Sequence, residues 1–270
     1  MPYATFDSLV LRHRVWFFVL GHPGHELRAY HVLERVRPIV SVLTDGSGSG
    51  SEPRITDSAS LITRVGGQPA SVFGAMTDRA AYEALMAGDA RAFLRVADAL
   101  TDALIGVDAT AVVIDAAEGY NPVHDICNWI GRAVIARVIA AGRDIDAFEL
   151  DLIAHPDGDG DGVRVPLDDG AFARKLEAIG QYRALAGEAA AAFERYGRDA
   201  FRVEFLRCLP PARLRRATWM PFYERVGEER VRSGQYSDVL RYGRHVRPVL
   251  AALDSAGVRS DADARRPTHQ

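Results

Sequence analysis

Lysine is almost missing from this chain: of 33 basic residues, Lys175 is the only lysine, and arginine supplies the rest. Cysteine is nearly as scarce. Two residues, Cys127 and Cys208, cannot build a disulfide scaffold and fit a reducing cytoplasm, where both pack as small apolar side chains. Excess charge of either sign is lacking as well. A formal net charge of -3 excludes a global electrostatic case for nucleic acid or for an anionic membrane surface. The apolar run Val15–Leu20 is too short to span a bilayer, and no small-residue cleavage site follows it. What remains is an ordinary globular composition: 270 residues, 48% of them hydrophobic, enough to bury a full core as one domain or as one domain with a small appendage.

The chain alternates strand-like and helix-like stretches. Apolar runs at Val15–Leu20, Ile39–Leu43, Ala70–Phe73 and Ala111–Ile114 are separated by segments with helical spacing, such as Glu26–Val36 and the stretch from Asp89 to Ile105. Thr77 and Asp89 read as helix N-caps, and a helix follows from His124 to Ala141. Ala147–Ile153 reads as an edge strand, and 168–194 as one long amphipathic helix. This order predicts an α/β fold, a three-layer sandwich with a mostly parallel sheet covered by helices on both faces. We expect a main domain over 1–195, a helix-rich C-terminal extension over 196–258, and a disordered tail over 259–270.

The most informative stretch is Gly21-His22-Pro23-Gly24-His25-Glu26, directly after the first apolar strand. It delivers two imidazoles onto the turn that opens the next helix, and open α/β sheets place active sites at such strand ends. Two imidazoles from one turn need one more ligand to hold a metal ion. His124, in Asn121-Pro122-Val123-His124-Asp125, again follows a strand and heads a helix. The residues therefore point to a zinc site made by His22, His25 and His124; the same donors also serve iron(II).

On these motifs the chain resembles the PIG-L/LmbE-like zinc-dependent N-deacetylases. The likeness rests on the strand followed by His-Pro-x-x-Glu, on Thr44-Asp45-Gly46 after the next strand, on the x-Pro-x-His motif, and on Arg174-Lys175-Leu176-Glu177-Ala178 in a late helix; it covers roughly 14–190. The resemblance implies a Rossmann-like fold and hydrolysis of an N-acyl group, usually N-acetyl, on an amino sugar or related small molecule. In the family the first motif is His-Pro-Asp-Asp-Glu, where the His and the second Asp bind zinc and the first Asp is the general base. Carried over, His22 and His124 match ligands, His25 stands where the ligand Asp is expected, and Gly24 stands where the base should be. Asn121 and Val123 replace the first His and the Asp of the family's second motif. Three neutral imidazoles leave a zinc site about one charge more positive than two imidazoles and a carboxylate, which acidifies bound water further. We expect that change to compensate in part for the lost base.

Other groups on the same rim are candidates to move protons. Glu118 is the first choice as replacement base and Asp45 the second, while Tyr120 is placed to donate a hydrogen bond to a developing oxyanion. Asp115 ends the fourth strand, and Asp125 reads as a helix cap or as a partner for a liganding imidazole. Arg54, after the Gly/Ser-rich stretch 44–51, and His245, in the segment Arg241–His245, are candidate substrate contacts. Asp157–Gly162 imitates the start of a calcium loop but lacks flanking helices, so a turn between two strands is expected. The resulting expectation is a cytoplasmic metal-dependent amidohydrolase acting on a small polar N-acyl metabolite, with a homo-oligomer possible and no nucleic-acid or membrane partner. The competing readings are a deacetylase-like protein that binds metal or ligand without hydrolysis, and a zinc enzyme of altered chemistry.

Overall fold

The computed structural model describes residues 5–48 and 52–263, with side chains described as far as 257. Three residues of the Gly/Ser-rich stretch, 49–51, and the final 264–270 of the expected tail lie outside them.

Helix α1 (Phe6–Arg12) starts where the Thr5 hydroxyl accepts the Ser8 amide at 3.2 Å. Strand β1 (Trp16–Leu20) is buried along its whole length, as expected of a central strand with both faces covered. A 3₁₀ turn over His25–Ala29 then leads into α2 (Tyr30–Val36), so the helix expected from Glu26 begins as a tighter turn. There follow β2 (Ile39–Val42), α3 (Ile55–Arg64), β3 (Gln68–Pro69), α4 (Asp78–Ala87) and α5 (Ala90–Gly106). Thr77 and Asp89 cap α4 and α5 as their sequence positions predict. Next come β4 (Ala111–Asp115), α6 (Pro122–Ala140), β5 (Asp146–Leu150), β6 (Gly162–Pro166), α7 (Asp169–Gln181) and α8 (Ala186–Tyr196). The chain closes with β7 (Val203–Cys208), α9 (Phe222–Arg232) and α10 (Arg247–Asp263).

The fold is α/β, built on one seven-stranded mixed sheet in the order β3-β2-β1-β4-β5-β7-β6. Pairings from β3 through β5 are parallel, and β7 pairs antiparallel with both β5 and β6. Alternation along β1 sends its side chains to two apolar cores. Phe17 and Val19 join residues of α5, α6 and α10, whereas Trp16, Phe18 and Leu20 join residues of α2, α3 and α7.

Several expectations are corrected here. The third strand is only Gln68–Pro69, short of the expected 70–73, because Ala70 and Gly74 meet β2 through single hydrogen bonds to Val40 and Val42. Strand β5 is an interior strand between β4 and β7, not an edge. The long helix expected over 168–194 is interrupted at Tyr182, with a 3₁₀ turn separating α7 from α8. Past residue 195, β7 lies inside the sheet, and Val246, Val249, Leu250 and Leu253 share one apolar core with α6. Helix α10 also carries regular structure to Asp263, into the segment expected to be disordered. The Asp/Gly run after β5 is a turn leading to β6, as its composition predicts.

Sheet order decides where a site can lie. The chain moves outward from β1 through β2 and β3, then returns to add β4 on the other side of β1. The carboxyl ends of β1 and β4 therefore diverge into a crevice, where open α/β sheets bind ligands.

Candidate metal centre

Gly21 and His22 leave the end of β1, and Asp115 closes β4 beside it. The Gly21 amide donates to Asp115 Oδ2 at 2.5 Å, tying the two strand ends together across the crevice. His22 and His25 flank the Pro23-Gly24 corner, and His124 stands in the first turn of α6, whose N-cap Asn121 accepts the Val123 amide at 2.8 Å.

The three imidazoles converge. Ring centres lie 5.3 Å apart for His22–His25, 5.3 Å for His22–His124 and 4.6 Å for His25–His124, with the planes steeply inclined to one another. Imidazoles that ligate one tetrahedral ion through nitrogens about 2.0–2.1 Å away have ring centres roughly 5 Å apart. Steep edge-to-face tilts are what three ligands around one point require.

Carboxylates fix two of the three rings. His25 Nδ1 is 2.7 Å from Asp115 Oδ2, which places the proton on Nδ1 and leaves the Nε2 lone pair free to ligate. His22 Nδ1 stands 2.7 Å from Thr44 Oγ1 and 3.0 Å from Asp78 Oδ1. Its Nε2 is buried without a hydrogen-bond partner, and so is Nδ1 of His124. Buried polar atoms normally find partners, and the exceptions call for an explanation such as an ion. Two orphaned imidazole nitrogens in one cluster fit a divalent cation of borderline softness. Among the described residues no group of three or more His, Cys, Asp or Glu side chains is placed to hold a metal ion as it stands.

The electrostatics favour the neutral, ligand-ready state. Burial pushes His25 and His124 well below the ordinary imidazole range, and each is lowered further by a neighbouring ring of the cluster. Arg54 adds to the effect on His25. Burial raises Asp115 to about 7 against the opposing pull of the Gly21 amide and of His22. Burial would raise Asp78 too, but hydrogen bonds with His22, Thr44 and the Gly48 amide hold it well below the usual carboxylate range.

Gly24 leaves no room for a side chain. Its φ of +102° lies where L side chains are strained, and a Cβ there would overlap Cδ1 of Leu185. The corner is held by Glu26, whose Oε2 accepts the Gly24 amide at 2.8 Å and whose Oε1 accepts the Ser58 hydroxyl. Glu26 is fully buried, and burial raises it to about 6 against the bonds from Ser58 and the Gly24 amide.

No family model, curated protein or solved structure matches this chain.

The other sequence candidates fall in several places. Glu118 is turned to the backbone: its carboxylate accepts the amides of Leu152, Ile153 and Ala154 at 2.8–3.1 Å and holds the turn after β5. That triple bond set commits it to the loop rather than to proton transfer. Asp45 Oδ1 accepts the amide and hydroxyl of Ser47 at 3.0 and 2.7 Å and so shapes its own loop. Tyr120 is exposed and stacks on Phe222 with ring centres 4.8 Å apart. His245 is buried in a short π-helical turn, where Nδ1 accepts the Arg241 amide at 2.9 Å, a structural role distinct from substrate contact. Asp125 Oδ1 accepts the Gly119 amide at 3.0 Å and so braces the loop before α6. Arg54 stays with the cluster. Its Nε is buried and unpartnered, and a Cβ on Gly46 would meet both that Nε and the Pro23 ring at 2.9 Å.

Asp78 and Leu185 escaped the sequence reading. A bridge between Thr44 and Met76 brings the start of α4 to the end of β2 and sets Asp78 beside His22. The only trace of this in the sequence is the Thr77 cap, which fixes Asp78 as a first-turn acid.

Proposed function

We propose that this chain is a metal-dependent amidohydrolase of the N-deacetylase type, acting on a small N-acyl metabolite on a Rossmann-like three-layer framework. Its metal, zinc or iron(II), is held by His22, His25 and His124. The observation that carries the reading is the convergence of three imidazoles with orphaned nitrogens at the crevice between β1 and β4. A zinc ion held there would polarise an amide carbonyl and acidify water.

The protein's own residues have separable tasks in this scheme. Asp115 and Asp78 fix the rotation and tautomer of His25 and His22. Arg54, with its free Nε at the rim, is the cation best placed to bind a carbonyl or hydroxyl of the incoming molecule. The Glu26–Ser58 pair keeps the His22–His25 corner closed. A cytoplasmic setting belongs to the same reading and is supported by two free cysteines. Among the described residues no helix is long and apolar enough to cross a membrane.

One observation favours a second reading, in which metal or ligand binds without hydrolysis. Leu185 fills the place of the family base, and the carboxylates of Glu118 and Asp45 are bonded elsewhere. The two readings part in one experiment: metal content of the purified protein by plasma mass spectrometry, then amine release from a panel of N-acetyl compounds with and without zinc. One equivalent of metal, lost in His22→Ala and His124→Ala, with zinc-dependent amine release supports the hydrolase. Metal without amine release supports the second reading, and absence of stoichiometric metal removes both.

A further inference from the structure

A cavity of about 690 Å³ has walls from α4, the start of α6, α9 and the loop after α9. Asn121 and Pro122 line it, and His124 stands two residues further along α6. Tyr82 lines it from α4, one turn beyond Asp78, whose carboxylate meets His22 at 3.0 Å. The cavity and the cluster therefore share two structural elements. A volume of this size suits a whole small ligand, far more than an acetyl group.

Five aromatic rings face this space: Tyr82, Tyr120, Phe222, Tyr223 and Tyr236. Tyr120 and Phe222 stack in parallel, 5° apart, and each remains 42% exposed. Of the charged lining residues, Arg79 pairs with Glu83 at 2.8 Å and Asp238 accepts the Val239 amide at 2.7 Å, whereas Arg230 donates to the neutral Tyr236 hydroxyl and lies over its ring. Asn121, Gln235 and Ser237 add polar groups between the rings. Rings with free faces recognise a flat apolar group.

We propose that this cavity binds a planar aryl group, which anchors the ligand while its acyl end reaches the imidazoles. That the aryl group belongs to an N-acyl substrate rests on the hydrolase reading; that the cavity binds it does not.

Calorimetric titration of chelator-treated and zinc-loaded protein with N-acetyl-2-naphthylamine and N-acetylglucosamine tests this. The naphthyl amide should bind both protein forms, at least tenfold tighter than the sugar. Tyr120→Ala and Phe222→Ala should each weaken it about tenfold, with Tyr120→Phe retaining affinity, and circular dichroism should stay unchanged because both rings are surface-placed. Failure of the naphthyl amide to bind, equal binding of the sugar, or indifference to both alanine variants overturns the inference. Naphthyl binding that depends on Tyr120 and Phe222, without zinc-dependent amine release, upholds the cavity and counts against the hydrolase reading. Amine release from the sugar, with no naphthyl binding, does the reverse.

Discussion

Placing an aspartate at Gly24 should damage the protein without adding a base to the proposed site. Gly24 has φ +102° and ψ -13°, beyond the region that non-glycine residues reach comfortably, which costs about 1–2 kcal/mol. Its new Cβ would also displace Leu185, a half-buried side chain that can move at the end of a flexible branch; overpacking of this kind adds roughly 1 kcal/mol. The sum, about 2–3 kcal/mol, corresponds in a chain of this size to a melting temperature lowered by roughly 4–10 °C. Gly24→Ala should carry most of that loss, because strain and overlap begin at Cβ. Gly24→Asp should show no gain in amine release, since the carboxylate enters on the leucine side of the corner. The double variant Gly24→Asp/Leu185→Ala should gain space but keep the backbone strain. Differential scanning fluorimetry and the amine-release panel read both quantities. A Gly24→Asp protein with an unchanged melting temperature, or with raised zinc-dependent turnover, would refute this account of the corner.

Asp115→Asn should weaken metal binding by about 10–100-fold, the usual effect of losing a carboxylate behind a liganding imidazole; competition against a chromogenic chelator measures it. Lys175, fully buried, donates to Glu204 Oε1 at 2.8 Å and to the Arg28 carbonyl at 3.0 Å. Lys175→Met should therefore cost about 3–5 kcal/mol by stranding the Glu204 charge, and Lys175→Met/Glu204→Gln should recover part of it in urea denaturation. Burial raises Asp151 to about 6 against the pull of Arg207, with Glu118 and Glu149 adding to the rise. A carboxyl raised in the folded state makes the native form bind more protons, so its contribution is fully present below pH 4 and is lost as pH rises to about 6. Asp151→Asn should remove a stability slope of about 1–3 kcal/mol between those limits, visible as a flatter plot of unfolding free energy against pH.

The parts of this molecule that were legible in the sequence are those written in short-range pattern. Continuous burial of Trp16–Leu20 appears as an unbroken apolar run, and Thr77 and Asp89 announce their helices through side-chain caps. The three histidines were readable for the same reason, since each sits within a few residues of a strand end or helix start. Long-range placement was not readable. Strand β7 enters the sheet between β5 and β6 although it comes later in the chain than either, and no local signal marks an antiparallel insertion. Glu118 illustrates the same limit at the site. Its position before α6 suits a base, but the amides that claim it belong to a turn more than thirty residues away.

Gly24 and Asp78 together separate the orientation of the imidazoles from the corner between them. A side chain at 24 would have to share the space that Leu185 now fills, whereas the carboxylates that orient the imidazoles come from other elements, β4 and α4. The orientation of His22 and His25 therefore does not depend on an acid at the corner, because Asp115 and Asp78 meet Nδ1 of the two rings. The His25 ring reaches the cluster while its Nδ1 is taken by Asp115, which already holds the Gly21 amide and so locks the strand end to the imidazole. Variants at Asp115 or Asp78 should therefore lower metal affinity at the proposed site.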